Sequence, residues 1–262
     1  MRSPKGRLIV CWIGAVLCAA LGWMSGSIAA QALLLHGGAT LLMLYVLNAA
    51  QQMLIFALPA LFLLQGRATR WQEFGESIRP LNRETVGWSA LLAVGGSVAA
   101  SIIASFWAIW LEQATGYTGT ANPLPVPQDA GQWIAALLAI AILPALCEEL
   151  MFRALIQSAL CRHLPKIGLW LAALVFAAAH FRWEAFPALL LIGAVLGKVY
   201  ICHGLLGSTL LHALYNSVVL ILSARGAEIS PMAALLCIAA CIVSLRLLLR
   251  GEKKDETDSP GV

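Results

Sequence analysis

Two adjacent carboxylates, Glu148 and Glu149, follow directly on a run of Ala, Leu and Ile, and Arg153 comes four residues after the second. Ionisable groups in an apolar span are costly and mark function by default. On a helix Glu149 and Arg153 share a face, with the acid N-terminal to the base, the better order for a pair. Glu148 points about 100° away. One carboxylate is thereby neutralised while the other is free to face a cavity, and an apolar setting with an imidazole nearby is the situation of a general base. Two histidines are candidates for that imidazole. His180 ends the run Phe176-Ala-Ala-Ala-His180, whose small residues let neighbouring helices approach closely. His212 and Asn216 are four apart on one helical face, where imidazole and carboxamide could donate to one point, as an oxyanion hole requires. Each cluster alone has a plainer reading: a solvated helix end, an interfacial histidine, an interhelical hydrogen bond.

The elements that must position these groups are membrane helices. Of 262 residues, 60% are apolar and 11% charged, against roughly 45–50% and 25% in soluble domains. Such a chain lacks the polar surface for a soluble enzyme, a nucleic-acid-binding domain or a disordered scaffold. Long apolar runs without alternation also disfavour a transmembrane barrel. The expectation is an all-α, polytopic membrane helix bundle forming a single integral membrane domain over residues 1–262. Eight runs are long enough to be spans: Leu8–Ala30, Gly37–Leu64, Val86–Leu111, Gly131–Cys147 continuing as helix past Arg153, Ile167–Phe181, Glu184–Ile201, Leu205–Ser223 and Pro231–Leu249. The first also reads as a signal peptide ending at Ser27-Ile28-Ala29-Ala30, although its length favours an uncleaved helix.

With both termini cytoplasmic, 15 of the 17 basic residues fall on the inner side and only Arg182 and Arg225 outside, which supports the count and the orientation. Arg67–Arg83 carries Trp71, Phe74 and Ile78 on one helical face and is expected at the inner membrane surface. Asn122–Pro127 is too proline-rich for a helix, and the tail 251–262 is expected to be disordered. Seven cysteines without CxxC spacing read as small apolar packers. His36, His163 and His203 read as structural or solvated, and most tryptophans as interfacial anchors.

The ordered trio EExxxR (Glu148, Glu149, Arg153), FxxxH (Phe176, His180) and HxxxN (His212, Asn216) resembles the CPBP family of Abi and CAAX-type intramembrane proteases, which includes the Ras-converting type II CAAX prenyl endopeptidases. The motif-bearing region is residues 131–222. The resemblance implies an eight-helix bundle with a recessed catalytic cavity open to the cytoplasmic side and the bilayer. It implies that Glu148 with His180 activates a water, that His212 and Asn216 stabilise the oxyanion, and that Glu149 and Arg153 support the site.

Zinc is the alternative, with Glu148, His180 and His212 as ligands. There is no HExxH, however, and a ligating Glu148 would cease to be the free base, so the reading favours no cofactor. The expected activity is endopeptidase cleavage of a membrane-anchored protein or peptide in the lipid bilayer, with no nucleic acid involved. The expected location is the inner membrane of a bacterium. The competing functions are a non-catalytic immunity or scaffold member of the same superfamily, and a proton-coupled transporter. The transporter reading lacks inverted repeats.

Overall fold

The computed structural model describes residues 40–65, 71–119, 126–226 and 229–250, together with isolated helical positions between 17 and 32. The span expected at Leu8–Ala30 and its signal-peptide alternative lie mostly outside the described residues, as do the core of the Asn122–Pro127 loop and the tail 251–262. The described residues are helical and contain no strand. We number the helices α1 (Leu41–Leu64), α2 (Trp71–Ser77), α3 (Arg83–Thr115), α4 (Ala130–His163), α5 (Gly168–Ala179), α6 (Trp183–Arg225) and α7 (Pro231–Arg250). Five of them, α1, α3, α4, α6 and α7, are long and apolar enough to cross a membrane, and α5 is a shorter apolar helix. The molecule is an integral membrane protein by this measure. Its outer faces carry large apolar side chains such as Phe106, 72% exposed, and Met232, 68% exposed, which suit lipid and not water.

Local chemistry sets the helix ends. Asn82 caps α3 by accepting the Thr85 amide at 2.7 Å, and Gly116 closes it in the left-handed conformation. Asp129 caps α4 in the same way, accepting from Gln132 at 2.8 Å. Within α1 and α4, π-helical stretches Met53–Ala57 and Leu137–Ile142 each end two residues before a proline, Pro59 and Pro144. An interior proline removes a helical hydrogen bond and crowds the carbonyl four residues back, and the wider turn relieves both. The carbonyl of Ala139, inside the second stretch, accepts the Asn48 side chain of α1 at 2.8 Å. A third π stretch, Leu150–Gln157, begins directly after Glu149. The glutamate pair thus sits on a short α-helical turn between two widened segments, a frequent feature of functional sites.

The longest helix, α6, is folded back on itself. Gly204 has φ 72° and ψ −170°, outside helical space, where only glycine is unstrained. A straight helix would hold Gly193 and His212 about 28 Å apart. Yet Phe176 of α5 reaches both: a Cβ at Gly193 would meet its ring at 3.1 Å, and its ring centroid is 5.8 Å from that of His212. The runs Glu184–Ile201 and Leu205–Ser223 are therefore two arms of a hairpin. Arg79 secures the turn by donating to the carbonyls of Ile201 and Cys202, the latter at 3.1 Å. His203 bridges the neighbouring helices, facing Thr85 Oγ1 at 3.3 Å and the Leu248 carbonyl at 2.6 Å. Its structural reading holds.

The core lies between α3, α4, α5, both arms of α6 and α7, and includes Leu92, Phe152, Phe176, Leu196, Leu211 and Leu248. Small residues bring these helices together: a side chain on Gly95 would collide with the α7 backbone at Cys237 and Cys241. Of the described cysteines, Cys147 is buried and Cys161, Cys202, Cys237 and Cys241 are partly buried. Helix α2 is the described part of the basic Arg67–Arg83 segment. Its Phe74 packs against the cluster of Leu63, Leu64 and Leu155, while Ile78 is exposed.

Candidate active site

The polar groups singled out in the sequence converge where α4, α5 and the second arm of α6 meet. Glu149 and Arg153 are both fully buried and paired, Arg153 Nε to Glu149 Oε2 at 3.1 Å. The other oxygen of Glu149 meets His212 Nδ1 at 3.0 Å. Arg153 also lies over the Phe176 ring, 4.8 Å from its centroid, a cation–π contact in a dry setting. Phe176 is the wall common to the site. It touches Phe152 edge-on at 5.2 Å, and the rings of His180 and His212 at 4.6 and 5.8 Å.

Glu148 lies about 100° round the helix from Glu149, and both carboxylates face the His212 ring. Glu148 Oε2 is buried with no hydrogen-bond partner among the described residues, and it faces His180 Nε2 at 3.7 Å and His212 Nε2 at 3.9 Å. Asn216 is half-buried one turn beyond His212 and makes no hydrogen bond within the described residues. The structure thus brings Glu148, Glu149, Arg153, His180 and His212 together, and leaves Asn216 on the same helix without a partner.

Proton positions follow from the partners. His180 Nδ1 is 2.8 Å from the Phe176 carbonyl, which can only accept, so Nδ1 carries the hydrogen. His212 Nδ1 faces a carboxylate held by arginine and carries its hydrogen for the same reason. In their neutral forms both rings therefore turn a bare Nε2 towards Glu148 Oε2. Three acceptors meeting in a dry space repel one another unless a proton or a water lies between them. With Nδ1–H committed to Glu149, His212 donates from Nε2 only when that nitrogen also carries a hydrogen.

The zinc alternative draws on the same three side chains. Glu148, His180 and His212 would be its ligands, but no group of three His, Cys, Asp or Glu among the described residues is arranged to hold a metal ion.

One contributor escaped the sequence reading. Gln157 is buried, accepts Arg153 Nη1 at 3.5 Å and donates to the Gly197 carbonyl at 2.8 Å. Its signal was its position, since residues 149, 153 and 157 repeat at four and form one polar stripe through an apolar helix.

Fold and site together define an all-helical integral membrane protein with a buried carboxylate–histidine cluster inside its bundle. Residues 130–218 match the family described as "Type II CAAX prenyl endopeptidase Rce1-like", a protease family, in agreement with the resemblance carried by the three motifs. The match covers α4, α5 and most of α6, about a third of the chain, and contains every candidate site residue. A curated protein of Bacillus subtilis (strain 168), "Uncharacterized protein YpbD", is 37% identical over 71 residues. That alignment covers 26% of this chain and 34% of the relative, so the chain spans about a third of the length of the curated protein it matches. No solved structure matches.

Proposed function

We propose that this protein is an intramembrane endopeptidase that hydrolyses a peptide bond of a membrane-anchored protein or peptide with a glutamate-activated water and no metal. The observation that carries the reading is Glu148 Oε2, buried and unpartnered among the described residues, between the Nε2 atoms of two histidines at 3.7 and 3.9 Å. A water placed there would have an acceptor on each side. Glu148 takes its proton while His180 orients it, and the hydroxide attacks the scissile carbonyl. His212, doubly protonated, donates Nε2–H to the oxyanion, joined by the Asn216 carboxamide. Glu148 then returns the proton to the leaving amine. Glu149, itself paired with Arg153, holds the His212 ring through Nδ1. Access is from the His180 side, where that side chain is 24% exposed, which in this topology is the outer end of α5 beside Arg182 and not the cytoplasmic side that the resemblance implies.

In this reading the bundle has eight spans. They are α1, α3, α4, α5, the two arms of α6, α7 and Leu8–Ala30, with both termini cytoplasmic in a bacterial inner membrane. The non-catalytic immunity or scaffold role and the transporter remain as outcomes of the test. That test is Glu148→Gln in purified protein assayed on a quenched-fluorophore farnesylated CAAX peptide. The variant accumulates in the membrane and does not cleave. Undiminished cleavage would place the chemistry elsewhere.

A further inference from the structure

Arg153 is the largest fully buried side chain in the described residues, and its far end is held by a residue to which nothing above gives a role. Gln157 Nε2 donates to the Gly197 carbonyl at 2.8 Å, and its Oε1 accepts from Arg153 Nη1 at 3.5 Å. The first partner can only accept and the second can only donate. Only a side chain with a donor at one tip and an acceptor at the other satisfies both, which fixes the orientation of the amide. The contact is close: a Cβ on Gly197 would lie 2.5 Å from Gln157 Oε1.

The chain of contacts runs on from Arg153 to Glu149 and from Glu149 to His212 Nδ1. Gly197 is on the first arm of α6 and His212 on the second. One polar stripe on α4 therefore ties both arms of the hairpin, at Gly197 through Gln157 and at His212 through Glu149.

We propose that Gln157, anchored on the Gly197 carbonyl, is a positioning residue for His212, acting through Arg153 and Glu149. The proposal rests on the catalytic reading for its consequence in hydrolysis, but the link to the His212 ring stands by itself. Gln157→Glu has nearly the same shape. It sets an acceptor against the Gly197 carbonyl and a carboxylate against Arg153, competing with Glu149 for the guanidinium. A space-filling role would tolerate it.

The chain has five histidines, few enough for solid-state NMR of histidine-labelled protein in liposomes, with His180 and His212 assigned by substitution. In Gln157→Glu and in Gly197→Ala, the His212 Nδ1–H resonance moves upfield as its hydrogen bond to Glu149 weakens. The His180 resonance, anchored on Phe176, stays in place. An unmoved His212 resonance in both variants overturns the proposal. Cleavage of the farnesylated peptide adds a second readout. Both single variants lose kcat by roughly tenfold or more, the scale of a lost charged hydrogen bond, with KM unchanged. Gly197→Ala costs nothing further in a Gln157→Ala background, because it acts only through Gln157. Multiplying losses overturn the proposal. Failure of the wild-type protein to cleave would count against the protease reading and leave the NMR result to decide this one.

Discussion

His212 Nδ1 lies 3.0 Å from Glu149 Oε1, a carboxylate whose other oxygen is held at 3.1 Å by Arg153. One glutamate thus pins two groups on different helices, and it determines which nitrogen of His212 faces Glu148. Replacing Glu149 by Gln keeps the shape but removes the carboxylate that accepts from His212 Nδ1 and pairs with Arg153. We expect kcat on the farnesylated peptide to fall by roughly 10²-fold or more, on the scale of a lost oxyanion donor. An unchanged kcat would show that the Glu149 carboxylate does not serve His212 in the reaction.

The Glu149–Arg153 pair also governs stability. Breaking a buried pair leaves an uncompensated charge, at a cost of about 3–5 kcal/mol. Arg153→Met should lower the thermal unfolding midpoint in detergent clearly. The double variant Glu149→Leu/Arg153→Met should recover most of that loss while remaining inactive. Additive losses would contradict the pairing.

The hairpin turn gives a separate test. Gly204 has positive φ and packs against the Ser77 carbonyl and the Arg79 side chain. Gly204→Ala adds a Cβ to a conformation that costs L-residues roughly 1–2 kcal/mol, before any clash. We expect a lower unfolding midpoint and weaker cleavage, since the turn sets where His212 stands relative to Gly197. A neutral substitution would mean that the two arms do not fold back at this residue.

Much of the site was legible because helical spacing is short-range arithmetic. A spacing of four places Glu149 and Arg153 on one face, and the structure pairs them. The converse limit is equally physical. The His212–Glu149 bond joins residues on different helices, and no spacing rule contains it, so the sequence pointed His212 towards Asn216 instead. The fold shows the same division. Apolar runs located the helices, but the 43-residue α6 becomes two arms through one backbone torsion at Gly204.

Metal dependence is checked directly. Protein stripped with 1,10-phenanthroline should cleave the farnesylated peptide at its full rate. Loss of activity, restored by added zinc, would contradict the metal-free mechanism and make Glu148, His180 and His212 ligands.

The central claim is that Glu148 is the base. The most direct measurement compares kcat of wild-type and Glu148→Gln protein, purified to the same monodisperse state, on the farnesylated peptide. A general base is worth about 10²–10⁴ in rate. The account predicts a loss of at least that order with an unchanged unfolding midpoint. A Glu148→Gln enzyme retaining wild-type kcat would contradict it.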